Sequence, residues 1–409
     1  MKNIFIILSI ALFISCQNKK KDKTDSQFEK TDDLTTNSLT KKLDSLQNTD
    51  VFNGFSVAVV DTTGILYSQG FGYADVSNKT KFTENTIINI ASISKVFVGI
   101  ALLKAQELNL IDLDDPINKY LPFEVVNPNY SNEAITIRQL ATHSSSIIDT
   151  DIYMQTDYIN KDDIAIAENL KEKYELYYQN PSKDWIPLSQ YLEKLLDKDG
   201  TLYDASTFAN RKPGEVYEYS NIGTALSALV IEYASKKSFN EFTKEYIFNP
   251  LKMSSTAWFF EEVDSMNYSK LYYDDQELPY YKILSYPDGG LITSSTDLSK
   301  FLTELIKGYS GNGTVLTIDG YKEFFKSQLN EKAFKKENYN VGIFIEKEFA
   351  YNEIGHTGGD PGTNTLMYFN TETKKGKILI LNTDSKKENS MDVYWGIWKT
   401  LDEYNKASR

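Results

Sequence analysis

The chain has 409 residues, 41% hydrophobic and 13% aromatic, with 28 Tyr. That is ample apolar material for a large core, and it excludes a globally disordered chain. A net charge of −13 argues against a nucleic-acid binder, which needs a basic face. The single cysteine excludes an internal disulfide or a thiolate metal site.

Residues 1–16 read as an export signal. Lys2 supplies a basic start, and the apolar run from Ile4 to Ile14 is too short to span a bilayer as a helix. It ends in Phe13-Ile14-Ser15-Cys16, which resembles a bacterial lipobox, with Phe where Leu is usual. Cys16 is therefore the expected lipidation site. The expected location is exported and lipid-anchored in the bacterial cell envelope. Residues 17 to 36 are polar and charged and read as a disordered tether. The folded part is expected over 37–409.

Asn37 to Asn48 places Leu39, Leu43 and Leu46 on one helical stripe. Phe55 to Val60 and Ile65 to Gly70 flank Asp61-Thr62-Thr63-Gly64, a hairpin signal. A helix is expected from Ser92 to about Leu108, with Val96, Ile100, Leu103 and Leu110 as its buried stripe. Ile135 to Ser145 reads as an apolar start, a helix and a polar loop. The charged, Tyr-rich stretch of about 146–212 reads as a helical insertion, and reshaped substrate access or surface elaboration would both suit it. Helices are expected from Asn221 to Ala234 and from a Ser295-Thr296-Asp297 cap to Lys307, with Gly308 at its end. Val341 to Ile345, Thr365 to Phe369 and Lys377 to Asn382 read as antiparallel strands, followed by a helix from about Met391 to Tyr404. Strands at both ends and helices between imply an α+β fold. Its antiparallel sheet is expected over about 37–90 and 285–409, flanked by helices, with an inserted mainly helical part over about 91–284.

Three constellations could carry chemistry. Ser-x-x-Lys occurs at Ser38-Leu39-Thr40-Lys41 and at Ser92-Ile93-Ser94-Lys95. The second opens an apolar helix, where serine and lysine share a face and can act as nucleophile and base. The second constellation is Tyr219-Ser220-Asn221. Tyr-x-Asn also occurs at Tyr130, Tyr158 and Tyr178, but Tyr219 follows Pro213-Gly214 and enters an apolar helix. A phenol and an amide there could shuttle a proton and hold a carbonyl. The third is Gly355-His356-Thr357-Gly358-Gly359, just before a strand candidate, where small residues allow another backbone to approach. A glycine turn between strands is the competing reading. The Tyr cluster from Tyr268 to Tyr286 reads as packing. His143 reads as a structural hydrogen-bonder. The two histidines, His143 and His356, lack a nearby acidic ligand pattern, so no metal site and no cofactor are expected. Gly-x-Ser-x-Gly, phosphate-loop and dinucleotide motifs do not occur.

In order, Ser92-x-x-Lys95, Tyr219-x-Asn221 and His356-Thr357-Gly358 resemble the three motifs of serine β-lactamases and penicillin-binding proteins. Within that group the chain looks like the class C β-lactamases with their D-alanyl-D-alanine carboxypeptidase and esterase relatives. Ile135 to Ser145 resembles that family's Ile-Thr-Ile-Arg-x-Leu-Leu-Thr-His-Thr-Ser-Gly. Asn249-Pro250-Leu251-Lys252-Met253 is similar to its Pro-Leu-Gly-Met, and Asp288-Gly289-Gly290-Leu291 to its Gly-Gly-Leu stretch. Ser146 and Lys252 stand where the family has Gly, and His356 where many members have Lys.

The resemblance implies a β-lactamase/DD-peptidase-like fold and an acyl-enzyme on Ser92. It implies Lys95 as base, Tyr219 as proton relay and Asn221 at the acyl amide. It places His356 and Thr357 at the substrate's carboxylate side, beside Gly358, and the N–H groups of Ser92 and Gly359 in an oxyanion hole. His356, near its titration point, would pair with that carboxylate in a pH-dependent way. The expected partner is a small molecule or peptide with a reactive carbonyl: a D-amino-acid peptide, an ester or a β-lactam. The expected function is a D-amino-acid peptidase or carboxypeptidase-type amide or ester hydrolase. A carboxylesterase or weak β-lactamase is the alternative, and a catalytically silent ligand-binding lipoprotein is one of another class.

Overall fold

The structure is a computed structural model that describes residues 36–330 and 339–407, with side chains as far as residue 402. The signal peptide with Cys16, and the tether up to residue 35, lie outside the described residues. Residue 36, expected in the tether, already starts the helix Thr36–Gln47. No helix among the described residues is long and apolar enough to cross a membrane.

An eight-stranded sheet runs in the order Tyr339–Val341, Glu346–Glu348, Glu353–Asp360, Thr363–Asn370, Gly376–Leu381, Gly54–Asp61, Gly64–Asp75 and Thr80–Lys81. Every neighbouring pair is antiparallel. The two ends of the chain meet where Phe55 pairs with Leu381 and Val60 with Gly376. Both central strands are buried on both faces, so alternate residues serve two cores. Val57, Val59, Leu379 and Leu381 pack with Leu39 and Leu43 of the first helix and with Val393, Ile397 and Leu401 of the last, Ser390–Ala407. Ala58, Val60, Ile378 and Ile380 face the other way and join Phe301, Leu302 and Leu305 of the Ser295–Tyr309 helix.

Several elements differ from the sequence reading. The helix Ser94–Glu107 is buried on all sides, not along one stripe, because it lies inside the larger core. The Ser295–Tyr309 helix is capped by Ser294, whose Oγ accepts from the Asp297 N–H at 3.2 Å, and Gly308 falls inside it. Val341–Ile345 is not one strand. The chain turns after Val341, with Phe344 at φ +51° and its N–H given to the Ala141 carbonyl. Gly355–Gly359 does precede the strand Thr363–Asn370, but it is itself strand and not a turn: it lies within Glu353–Asp360, paired His356 to Met367 and Gly359 to Asn364.

The 146–212 stretch holds the helices Asp151–Thr156, Lys171–Tyr178 and Leu188–Leu196. It also holds an unforeseen strand, Tyr158–Asn160, paired antiparallel with Tyr281–Ile283. That pairing fastens the insertion to the segment leading into Asp288-Gly289-Gly290. The insertion thus adds Tyr153, Tyr158, Tyr177, Leu192 and Leu195 to the larger core, while residues 162–169 lie largely at the surface.

Candidate active site

Ser92 sits in a short 3-10 turn, Ala91–Ile93, that leads directly into the Ser94–Glu107 helix. The turn is tightly fixed. Asn89 Oδ1 accepts from the Ala91 N–H at 2.6 Å, and Thr363 Oγ1 donates to the Asn89 carbonyl at 2.9 Å. Ser94 Oγ donates to the Ala91 carbonyl at 2.6 Å and accepts from the Leu291 N–H at 3.0 Å. Ser94 is therefore a clamp, its hydroxyl both donating and accepting. Ala91 is held at φ +49°, a left-handed conformation that costs a non-glycine residue about 1 kcal/mol or more. Of residues 90–100, only Ser92 keeps partial solvent access.

Lys95 is 0% exposed, and its Nζ lies 3.1 Å from Ser92 Oγ and 2.6 Å from the Asp288 carbonyl oxygen. Burial pushes its pKa below the ordinary 10.5, against the pull of Asp288, Asp149, Asp360 and Asp157. A desolvated amine beside a hydroxyl can hold a neutral fraction near neutral pH and accept the hydroxyl proton.

Tyr219 joins this pair. Lys95 Nζ is 5.0 Å from the centre of its ring. Burial drives the phenol well above its usual pKa of 10.0, and the Ser92 hydroxyl pulls it the other way. The group stays protonated through the physiological range, as a proton donor must. His143 stacks on Tyr219 at 4.5 Å, and its Nδ1 accepts from the Ser220 N–H at 3.1 Å. Burial lowers the His143 pKa further, so it is neutral and structural.

Asn221 is the first residue of the helix Asn221–Ser235. Asp149 caps that helix, its Oδ2 accepting from the Asn221 N–H at 2.9 Å and its Oδ1 from the Ile222 N–H at 3.1 Å. Burial pushes the Asp149 carboxyl up to about 6, against the two backbone hydrogen bonds that favour its charge.

The strand Glu353–Asp360 forms the opposite wall. His356 is 3% exposed, with its ring 6.2 Å from that of Tyr219 and its Nδ1 2.5 Å from the Thr357 carbonyl oxygen. Burial lowers its pKa below 6.5, so it is neutral at pH 7 rather than near its titration point. Gly358 lies against the nucleophile turn: a Cβ there would stand 2.4 Å from the Ile90 carbonyl oxygen and 3.3 Å from the Ser92 nitrogen. Thr357 and Gly359 point to the open side. Lys95, Tyr219, His356 and Gly358 are thus brought together around Ser92, and Asn221, Thr357 and Gly359 lie one or two residues along the chain from them.

Sequence reasoning missed the acids. Asp288 Oδ2 accepts from Ser285 Oγ at 2.5 Å and from Tyr153 OH at 2.9 Å. Asp157 Oδ1 accepts from the Ser285 N–H at 2.9 Å, and Asp360 Oδ1 from Tyr158 OH at 2.5 Å. Burial raises the pKa of each, Asp360 to about 7. The available signal was position: Asp288 directly precedes Gly289-Gly290, and Asp360 directly follows Gly358-Gly359.

A family model described as Beta-lactamase matches residues 39–400. Penicillin-binding protein 4* of Bacillus subtilis (strain 168) is 27% identical over 363 residues, covering 82% of this chain and 69% of that one. Other curated relatives are spanned over 60–64% of their length. The octameric penicillin-binding protein homologue from Pyrococcus abyssi superposes with a TM-score of 0.67 at 24% identity, over 85% of this chain and 73% of that one. The D-amino acid amidase from Ochrobactrum anthropi SV3 does so with a TM-score of 0.65 at 19% identity, over 91% and 99%. At these identities the structural likeness is one of fold.

Proposed function

We propose that this chain, which belongs to the β-lactamase family of serine hydrolases, hydrolyses amides or esters through an acyl-enzyme on Ser92. The observation that carries this reading is the 3.1 Å approach of a fully buried lysine amine to the Ser92 hydroxyl. Ser92 Oγ attacks the carbonyl carbon while its proton passes to Lys95 Nζ. The tetrahedral oxyanion is met by the backbone N–H groups of Ser92 and Gly359. Tyr219 donates a proton to the departing nitrogen or oxygen, leaving the acyl group on Ser92. Lys95 returns its proton to the Tyr219 phenolate; water then attacks the ester while Lys95 takes its proton, and that proton passes to Ser92 Oγ as the acid is released.

His356 and Thr357 flank the leaving-group end, and Asn221 faces the acyl end. The neutral His356 favours hydrogen bonding over charge pairing with a leaving-group carboxylate. The amidase and penicillin-binding neighbours support an amide substrate of the D-amino-acid class.

The test is to expose wild type and Ser92→Ala to a fluorophosphonate probe, then measure turnover of a D-Ala-D-Ala peptide, a nitrophenyl ester and a chromogenic cephalosporin. Wild type should be labelled and Ser92→Ala not. Ester turnover should fall by about 10⁴-fold or more in the variant. Equal labelling of the two proteins overturns the reading. Turnover of the ester alone would replace the peptide assignment with an esterase.

A further inference from the structure

The strand Glu353–Asp360 passes the nucleophile turn from one side to the other. His356, near Tyr219, marks the end from which the leaving group is protonated. Gly358 lies against Ile90 and Ser92. Asp360 comes two residues later, on the same face of the strand, beyond Ser92. A substrate whose leaving group is at the Tyr219 end carries its acyl part toward Asp360.

At that end the chain builds a carboxylate enclosed by phenols. Asp360 Oδ1 is held by Tyr158 OH at 2.5 Å. Its Oδ2 stands 3.6 Å from where a Cβ on Gly289 would lie, and the Ala91 carbonyl carbon stands 3.9 Å from that same point. Glycine at this position keeps a side chain out of the space between the acid and the nucleophile turn. The ring of Tyr158 lies 4.6 Å from that of Tyr177 and 5.5 Å from that of Tyr281, which is 6.2 Å from Tyr178. Asp360 is the charged group that most affects the Tyr177, Tyr178 and Tyr281 phenols. The hydroxyls of Tyr178 and Tyr281 are buried, with those residues only 7% and 4% exposed, and neither hydroxyl has a hydrogen-bond partner among the described residues. Buried hydroxyls without partners are costly, and they are common where a ligand completes the network.

The charge count points to what that ligand carries. Lys95 is a single amine facing four carboxyls, Asp149, Asp157, Asp288 and Asp360. Burial holds these acids toward their neutral forms. A second cation would let Asp360 ionise, would receive the phenol oxygens as acceptors, and would lie among aromatic rings that favour it.

We propose that Asp360, with Tyr158, Tyr178 and Tyr281, is a subsite for an ammonium group on the acyl part of the substrate. The preferred substrates are then amides or esters of amino acids, or of peptides, with a free amine close to the reacting carbonyl. This rests on the acyl-enzyme reading of Ser92.

The experiment uses the full chain and para-nitroanilides of D- and L-alanine, each with a free and an N-acetylated amine, plus para-nitrophenyl propionate as an uncharged reference. Wild type should show kcat/KM at least tenfold higher for the free amine of one enantiomer than for its acetylated form. In Asp360→Asn that ratio should fall toward one, and in Tyr158→Phe it should fall part of the way. Fluorophosphonate labelling reports whether each variant keeps a folded site, and Tyr158→Phe decides the matter if Asp360→Asn is not labelled. Wild type preferring the acetylated substrates, or a ratio unchanged by both substitutions, overturns the subsite. If propionate ester turnover survives Ser92→Ala, the acyl-enzyme reading itself has failed. If that turnover needs Ser92 and the amine brings no preference, only the subsite has.

Discussion

Ser38-Leu39-Thr40-Lys41 and Ser92-Ile93-Ser94-Lys95 are the same short pattern in two regions of one molecule. Both lie on helical turns, and both serines are partly exposed. The lysines separate them. Lys41 is exposed on an amphipathic helix that buries only Leu39 and Leu43 against the sheet. Lys95 is fully buried in a helix enclosed on all sides, among carboxyls and within reach of Ser92. A serine with a lysine three residues on is a geometric possibility. It becomes a nucleophile and base only where the fold strips water from the amine.

The sharpest way to break this contrast is to make the lysines permanently charged. Arginine cannot give up its proton at any working pH. Lys95→Arg should lower nitrophenyl ester turnover by about 10²- to 10⁴-fold, whereas Lys41→Arg should stay within about twofold of wild type. A Lys95→Arg enzyme with more than a tenth of wild-type kcat/KM would remove Lys95 from the role of base.

A second, smaller effect lies in the pH profile. The base works in its neutral form, so activity rises with pH through the lowered Lys95 pKa and levels off below the ordinary 10.5. The raised Tyr219 pKa keeps the proton donor intact beyond pH 10.0, so the alkaline limb should be late. Asp288 is the strongest of the charges holding Lys95 protonated. Asp288→Asn should therefore move the acid limb of kcat/KM to lower pH, by roughly one unit for a charge a few ångströms away in a half-wet interior. A limb that moves upward, or stays in place, would contradict this account of how the amine is tuned.

How much of this was legible follows from the range of the forces involved. The sheet strands near the termini were readable because alternation and β-branched runs are local. The three motifs were readable because their order along the chain is itself information. His356-Thr357-Gly358 was legible as small residues that admit a close backbone, and Gly358 does lie against Ile90; that the stretch is itself a strand was not, because glycines also read as turn formers. The left-handed positions were invisible. Ser146 and Lys252, where the resembling family has Gly, sit at φ +65° and +56°, so the family's glycine preference is explained and this chain accepts strain at both. Tyr158 and Tyr178 were set aside as chance Tyr-x-Asn matches, yet both stand near the site, brought there by the pairing of Tyr158–Asn160 with Tyr281–Ile283. Pairing between strands more than a hundred residues apart has no local signature, and the buried acids depend on it.

The two regions differ, last, in what holds their surroundings. Ser92 depends on Tyr219 and Asn221 at the mouth of another helix, and Asp149 holds that mouth by accepting from two backbone N–H groups. Asn at position 149 keeps one good acceptor and loses the other, a cost of about 0.5–1.5 kcal/mol. The size of that loss should depend on pH, and its sign follows from the raised Asp149 pKa. The folded value, about 6, exceeds the ordinary 3.8. The stability tied to the protonated acid is thus fully present below 3.8 and is lost as pH rises through about 6. Wild type therefore gains on Asp149→Asn as pH falls from 7 to 5, and denaturant midpoints should separate further at the lower pH. A separation that shrinks at pH 5 would mean that Asp149 is stabilised by its charge at the helix mouth, with burial the weaker influence.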